Sequence, residues 1–164
     1  LFNYPASDIL TDVANHKTVI ANTSCLIILT NIGELELLHK LYKQIVTTLD
    51  IAINRGTLPE WIEIVNAADK YKQQLLELQI DRGESSALAL AIEVIDSTLI
   101  LDDYKARKIA SQLGLTYTGT IGIIVKAKLL GIIPSIKPII TKIKQTDFRL
   151  SAEIELEALR QANE

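Results

Sequence analysis

Short, continuous runs of apolar residues alternate along this chain with longer segments in which apolar residues recur every three or four positions. Residues 18–21 (TVIA) form the first run, and Asn22, Thr23 and Ser24 follow it. A continuous apolar run is typical of a buried strand in a parallel sheet, and Thr23 or Ser24 would be a suitable N-cap for a helix over residues 26–31. Further strands are predicted over residues 44–48, 59–64, 97–101 and 115–117. Further helices are predicted over residues 34–41, 50–54, 69–78, 85–95, 104–113 and 119–130, from 134 or 135 to 144, and over 151–162.

The alternation of strands with helices predicts βαβ units, and therefore an α/β sandwich around a central parallel sheet. The length of 164 residues suits one domain, and an apolar content of 48% excludes a disordered chain. We assign residues 18–164 to this domain and residues 1–17, whose pattern has no clean period, to an N-terminal extension. Because no Gly-x-Gly-x-x-Gly sequence follows the first strand, a small-molecule-binding Rossmann-like domain is disfavoured.

Ligands of such folds bind at the carboxyl ends of the strands, so the residues that follow each strand are the candidates for chemistry. In this chain they are acids, amides and a hydroxyl: Asn22 and Ser24, Asn54, Glu84, and the pair Asp102 and Asp103. Carboxylates gathered at one edge are the usual ligands of Mg²⁺ or Mn²⁺. A cation held there can polarise a phosphodiester and activate a water. The same residue types are also ordinary helix caps and Asx-turn formers, and their spacing leaves both interpretations open.

The net charge of −3 excludes a globally basic nucleic-acid binder, but the charge is unevenly distributed. Residues 104–149 contain nine basic residues and one acid, so this segment carries +8 and the remainder −11. A basic segment beside an acidic pocket suits a protein that grips a phosphate backbone, and its candidate contacts are Lys105, Arg107, Lys126 and Lys128. Solvated lysines on helix faces would give a similar composition. One cysteine and two distant histidines exclude a disulfide framework and a Cys-rich zinc site.

An ordered series of segments resembles the PIN-domain family, and within it a VapC-like subfamily of predicted nucleic-acid-binding proteins. The segments are residues 19–27 (VIANTSCLI), 33–38 (GELELL), 82–87 (RGESSA), 101–107 (LDDYKAR), 118–120 (TGT) and 131–138 (GIIPSIKP). The resemblance implies a Rossmann-like α/β/α sandwich with a central parallel sheet. It also implies relatedness to the VapC toxins, which are Mg²⁺-dependent endoribonucleases and often dimers.

The acids of that family can be carried over by position. The first falls on Asn22, the second on Asn54, the third on Glu84 and the fourth on Asp103, with Asp102 as an extra acid beside it. Two of the expected carboxylates are therefore neutral amides, which removes negative charge from the pocket and weakens Mg²⁺ binding.

The leading hypothesis is accordingly a cytoplasmic, metal-dependent endoribonuclease of toxin–antitoxin type that is weakened by these two Asn residues. Glu84, Asp103 and Asn22 would bind Mg²⁺ or Mn²⁺, Asp102 would complete the catalytic set, and Ser24 and Asn54 would support it. The expected partners are RNA, an antitoxin protein and a second copy of the chain, with no membrane association. The alternative is an inactive module of the same fold that binds RNA or protein, with metal binding weak or absent.

Overall fold

A computed structural model of the protein describes residues 17–53 and 57–164. Within these residues five strands form one sheet: β1 Thr18–Ala21, β2 Ile45–Thr47, β3 Ile62–Ile64, β4 Ser97–Ile100 and β5 Thr116–Thr118. The helices of the described residues are α1 Thr23–Asn31, α2 Glu36–Tyr42, α3 Leu49–Ala52, α4 Lys70–Glu77, α5 Arg82–Glu93, α6 Tyr104–Gln112, α7 Thr120–Leu129, α8 Lys137–Ile143 and α9 Ala152–Gln161.

All strand pairs in the sheet are parallel, and the strand order is β3-β2-β1-β4-β5. The central strand β1 aligns Thr18 with Ser97 and Ala21 with Ile100 along its whole length. Ile20, Ala21, Leu99 and Ile100 are fully buried, as expected for strands covered on both faces.

The helices that flank the sheet form two sets, and the helices within a set contact one another. Helix α5 packs on β1 and β4 and contacts α3, α4 and α6, whereas α2 packs on β2 and on α7, which in turn contacts α9. The core between them is almost wholly aliphatic. The α/β fold with a central parallel sheet that the sequence predicts is therefore confirmed.

Capping moves two helix starts away from their predicted positions. Helix α1 is capped by Asn22 and not by Thr23 or Ser24, because the Asn22 side chain accepts the Thr23 N–H. Helix α5 begins at Arg82, three residues before the predicted start, since Asp81 accepts the Glu84 N–H and draws the Arg-Gly-Glu segment into its first turn. These starts place Ser24 in the first turn of α1 and Glu84 in the first turn of α5, with Asn22 as the cap of α1.

The predicted extension over residues 1–17 lies, except for Lys17, outside the described residues, as does Asn54. Among the helices of the described part of the chain, none has the length and apolar character needed to cross a membrane.

Candidate active site at the carboxyl edge of the sheet

The candidate residues lie near the switch point of the sheet, where successive strands are added on opposite sides of β1. β1 leads to β2 on one side and β4 leads to β5 on the other, so this switch point lies between β1 and β4. The Asn22 N–H that follows β1 donates to the Ile100 carbonyl at the end of β4, at 3.2 Å. The first turn of α5 lies against α1, because a Cβ on Gly83 would come within 2.8 Å of Thr23 Oγ1.

Asn22 is almost completely buried, with 1% of its surface exposed. Its Oδ1 accepts the Thr23 N–H at 2.6 Å, so the carbonyl oxygen is engaged in capping α1. Its Nδ2 has no hydrogen-bond partner among the described residues. A buried amide without a partner is costly, and here the free group is an N–H donor and not an oxygen. In this arrangement Asn22 is better suited to donate to a water or phosphate oxygen than to ligate a cation.

Glu84 and Asp103 are the two candidate acids that the structure brings close together. Glu84 is the third residue of α5 and is 8% exposed, and Asp103 caps α6 by accepting the Ala106 N–H at 2.9 Å. Burial, followed by the charges of Asp81 and Asp103, raises the pKa of Glu84 from 4.5 to about 7. The helix N-terminus favours the ionised form, but burial and repulsion outweigh it. At neutral pH this carboxyl is therefore close to half-protonated.

Asp81 is an acid that the sequence interpretation missed as a site residue. Its charge contributes to the raised pKa of Glu84, while its Oδ1 accepts the Glu84 N–H and caps the helix. The signal for it was present in the sequence, since an Asp three residues before a Glu at a helix start places both in one turn.

Asp102 has a different position from its neighbour Asp103. Its carboxylate accepts from the Thr120 N–H at 2.9 Å and from the Thr120 hydroxyl, and Arg107 lies at 3.5 Å. Burial raises the pKa of Asp102, while the bonds from Thr120 and the charge of Arg107 oppose that rise. Both carboxylate oxygens are thus engaged in tying the start of α6 to the start of α7, an arrangement that indicates positioning of the neighbouring acid.

Arg107 and Gly119 complete this connection. Arg107 Nε donates to the Leu101 carbonyl at 2.7 Å, and the guanidinium passes over Gly119 so closely that a Cβ there would collide with it. Cys25 lies beside Asp102 and Thr120, since the Thr120 side chain hydrogen-bonds to its thiol and the charge of Asp102 acts on it. Burial, followed by that charge, raises the pKa of the thiol. The thiol is therefore a protonated core group.

The four residues predicted to contact nucleic acid differ in solvent exposure. Lys105 is exposed, Lys128 is half-buried, and Arg107 is engaged as described above. Lys126 is only 3% exposed and its Nζ lies 4.9 Å from the centre of the Tyr42 ring. Its predicted place on a basic surface is therefore corrected: α7 is buried on nearly every side over Thr120–Ala127, and the cation packs against an aromatic ring.

A divalent cation such as Mg²⁺ requires oxygen ligands, and the candidate residues differ in whether they offer one. Glu84 and Asp103 offer carboxylate oxygens, whereas Asn22 presents its N–H and Asp102 has both oxygens engaged. Ser24, half-buried in the first turn of α1, is not a strong ligand type. Within residues 17–53 and 57–164, no group of three or more acids, histidines or cysteines is arranged to hold a metal. The residues present therefore fit a cation held by two carboxylates and completed by waters, which Mg²⁺ tolerates but binds weakly.

A parallel α/β sheet with two adjacent acids at its switch point defines a protein of the Rossmann-like class with its site at the carboxyl edge. The family of PIN domains described as DUF3368 matches residues 18–164. The chain belongs to the PIN-domain family, whose members are generally nucleases and typically bind Mg²⁺. Neither the curated proteins nor the solved structures that were compared contain a match.

Proposed function

We propose that this protein is a cytoplasmic, metal-dependent endoribonuclease of the toxin type, with its phosphodiesterase site at Glu84 and Asp103. The observation that carries the proposal is the approach of these two acids at the switch point of the sheet, close enough for the charge of Asp103 to raise the pKa of Glu84, in a family generally of nucleases. Ionisable groups with raised pKa values are concentrated at functional sites.

The residues around this edge have distinct roles in the proposal. Glu84 and Asp103 would hold Mg²⁺ or Mn²⁺, which supplies charge stabilisation and an acidified water when bound. Asn22 Nδ2 donates to a water or phosphate oxygen, since its own oxygen caps α1. Asp102, through Thr120 and Arg107, holds the turn that carries Asp103.

The test is Mn²⁺ binding by titration calorimetry, with cleavage of a labelled single-stranded RNA as a second measurement. Asp103→Asn should abolish binding and cleavage while it preserves the cap of α6, because Asn caps helices as well as Asp. Asp69→Asn is the matched control: Asp69 caps α4 in the same way, through Tyr71 N–H and Lys72 N–H, on another part of the surface. Equal metal affinity in the wild type and in Asp103→Asn would refute the assignment.

The alternative of an inactive module that binds RNA or protein is favoured by one observation, the engaged oxygen of Asn22. If the alternative holds, the wild type binds RNA but does not cleave it, and Asn22→Asp combined with Asn54→Glu creates cleavage that the parent lacks. Cleavage by the wild type in Mn²⁺ that stops with EDTA would eliminate the alternative.

The proposed antitoxin partner rests on the resemblance to toxins, and the gene arrangement tests it. A small reading frame immediately upstream, whose product suppresses RNA cleavage when the two proteins are co-expressed, is the expected result. Purified chain that keeps full activity in the presence of that product would contradict the pairing.

We also propose that two copies of the chain associate through α4. Tyr71, Leu75 and Leu78 are strongly exposed and recur at the spacing of one helix face. Lys70 and Lys72 lie near the start of this helix and Glu77 at its end. Antiparallel packing about a two-fold axis would therefore place lysines of one copy opposite the glutamate of the other.

Light scattering coupled to gel filtration tests this association. We expect a dimer for the wild type and a monomer for Leu75→Asp, whereas Leu113→Asp, at an exposed leucine at the end of α6, should stay dimeric. A monomeric wild type at tens of micromolar would overturn the proposal.

A further inference from the structure

An exposed aromatic side chain stands directly beside the proposed site. Tyr104 is the first residue of α6, follows Asp103 in the chain, and is 79% exposed. Tyrosine has a large apolar ring that usually packs against other groups, so a ring this open at the edge of an acidic site is available to a ligand. Consecutive Cα atoms are about 3.8 Å apart, so this open ring is attached to the chain immediately beside the acid proposed to hold the cation.

The helix that begins at Tyr104 carries only positive charge. Lys105, Arg107 and Lys108 are its charged residues, and it contains no acid. Lys108 is exposed and is four residues from Tyr104, so the two side chains share one helix face. An aromatic face with a cation one turn away matches the alternation of base and phosphate along a nucleic-acid strand.

We propose that Tyr104 is a base-stacking subsite for single-stranded nucleic acid, with Lys108 contacting the phosphate backbone on the same face of α6. The inference rests on the proposed function and adds to it a side chain that contacts the base. A base can stack on a side chain only when it is unstacked from its neighbours, so this subsite selects single strands, loops and ends over duplexes. Every base offers such a face, and the contact therefore carries little sequence preference.

The experiment measures binding without cleavage. Fluorescence anisotropy of a labelled single-stranded RNA in EDTA compares the wild type with Tyr104→Ala and Tyr104→Phe. Loss of the ring should weaken binding about tenfold or more, whereas Tyr104→Phe keeps the ring and should bind as the wild type does. Ile95→Ala is the control, since Ile95 is 89% exposed but lies just before β4, at the end of that strand opposite Asp103, and it should leave RNA binding unchanged.

Salt dependence separates the ring from the cation. Lys108→Ala should reduce the slope of log affinity against log salt by about 0.7, the value for one phosphate contact on a single strand. Tyr104→Ala should lower the affinity at every salt concentration and leave this slope unchanged. A duplex of the same sequence should bind the wild type more weakly than the single strand and respond little to Tyr104→Ala.

The outcomes distinguish this inference from the proposed function. If the wild type binds single-stranded RNA and Tyr104→Ala binds equally well, the stacking subsite is wrong and the nuclease proposal stands. If Tyr104→Phe is as weak as Tyr104→Ala, the hydroxyl and not the ring makes the contact, which also overturns the inference. If the wild type binds no RNA at all, the proposed function fails and the subsite fails with it.

Discussion

The raised pKa of Glu84 has a consequence for folding stability that can be measured without any substrate. The folded protein binds this proton more tightly than the unfolded chain does, so ionisation of Glu84 opposes folding. The cost is absent below pH 4.5, grows as the pH rises, and is complete above the folded pKa of about 7. A rise from 4.5 to about 7 corresponds to about 3 kcal/mol of unfolding free energy.

Glu84→Gln removes the ionisation and keeps the shape of the side chain. The variant should therefore be more stable than the wild type by up to about 3 kcal/mol at pH 8 and by under about 1 kcal/mol at pH 5. Urea denaturation at pH 5, 6, 7 and 8 measures this difference directly.

A control of opposite sign is available in the same helix. The Ala68 and Asp69 N–H groups donate to Glu93 and hold the pKa of that carboxyl below its usual range, so its ionisation favours folding above that range. Glu93→Gln should accordingly lose stability at pH 7, and lose less as the pH falls. Parallel stability curves for the wild type and Glu84→Gln between pH 5 and pH 8 would refute the account of Glu84.

Three further results are expected. Mn²⁺ should stabilise the wild type more at pH 8 than at pH 6, because Glu84 must lose its proton to become a ligand. Thermal denaturation with and without the metal measures this, and an equal shift in melting temperature at both pH values would contradict metal binding by Glu84. Gly119→Ala should destabilise the fold because the new Cβ displaces the Arg107 guanidinium. In a double-mutant cycle with Arg107→Ala the changes in unfolding free energy should be non-additive, whereas strictly additive changes would show that the two residues act separately. Lys126→Ala should lower the melting temperature and leave the salt dependence of RNA binding unchanged, whereas Lys105→Ala should reduce that dependence. A reduced salt dependence for Lys126→Ala would show that Lys126 does contact RNA.

The central strands were predictable because each ends in a short, continuous apolar run, the pattern of a buried parallel strand. Residues 18–21 and 97–100 are covered on both faces, so the sequence pattern and the burial coincide. Helix starts were less predictable because several residues competed for each cap: at α1 the choice between Asn22, Thr23 and Ser24 depends on which side chain can reach the first free N–H.

The individual roles at the site depend on tertiary contacts that no local pattern contains. Asp102 and Asp103 are identical neighbours, yet one is held by Thr120 across the sheet edge and the other caps its own helix near Glu84. Lys126 was assigned to a surface on charge alone, and the apolar residues on both sides of it were the available sign that its helix is buried.

Asn22 shows why metal affinity and stability should oppose each other at this edge. An aspartate at the same buried position would bring another negative charge towards the first turn of α5, where Gly83 lies so near Thr23 that a Cβ would crowd it, and would raise the pKa of Glu84 further. Asn22→Asp should therefore be less stable than the wild type without metal, since burying a charge is costly.

In Mn²⁺ the same variant should gain more stability than the wild type does, because a cation that binds only the folded state offsets that cost. Thermal denaturation at pH 8 with and without Mn²⁺ measures both effects, and Asn31→Asp, at the exposed end of α1, is the control. A variant that is stable without the metal and indifferent to it would mean that position 22 does not face the site. If both effects appear, an asparagine at position 22 stabilises the metal-free fold because it keeps one negative charge away from the other acids. For the same reason it deprives the cation of one carboxylate ligand.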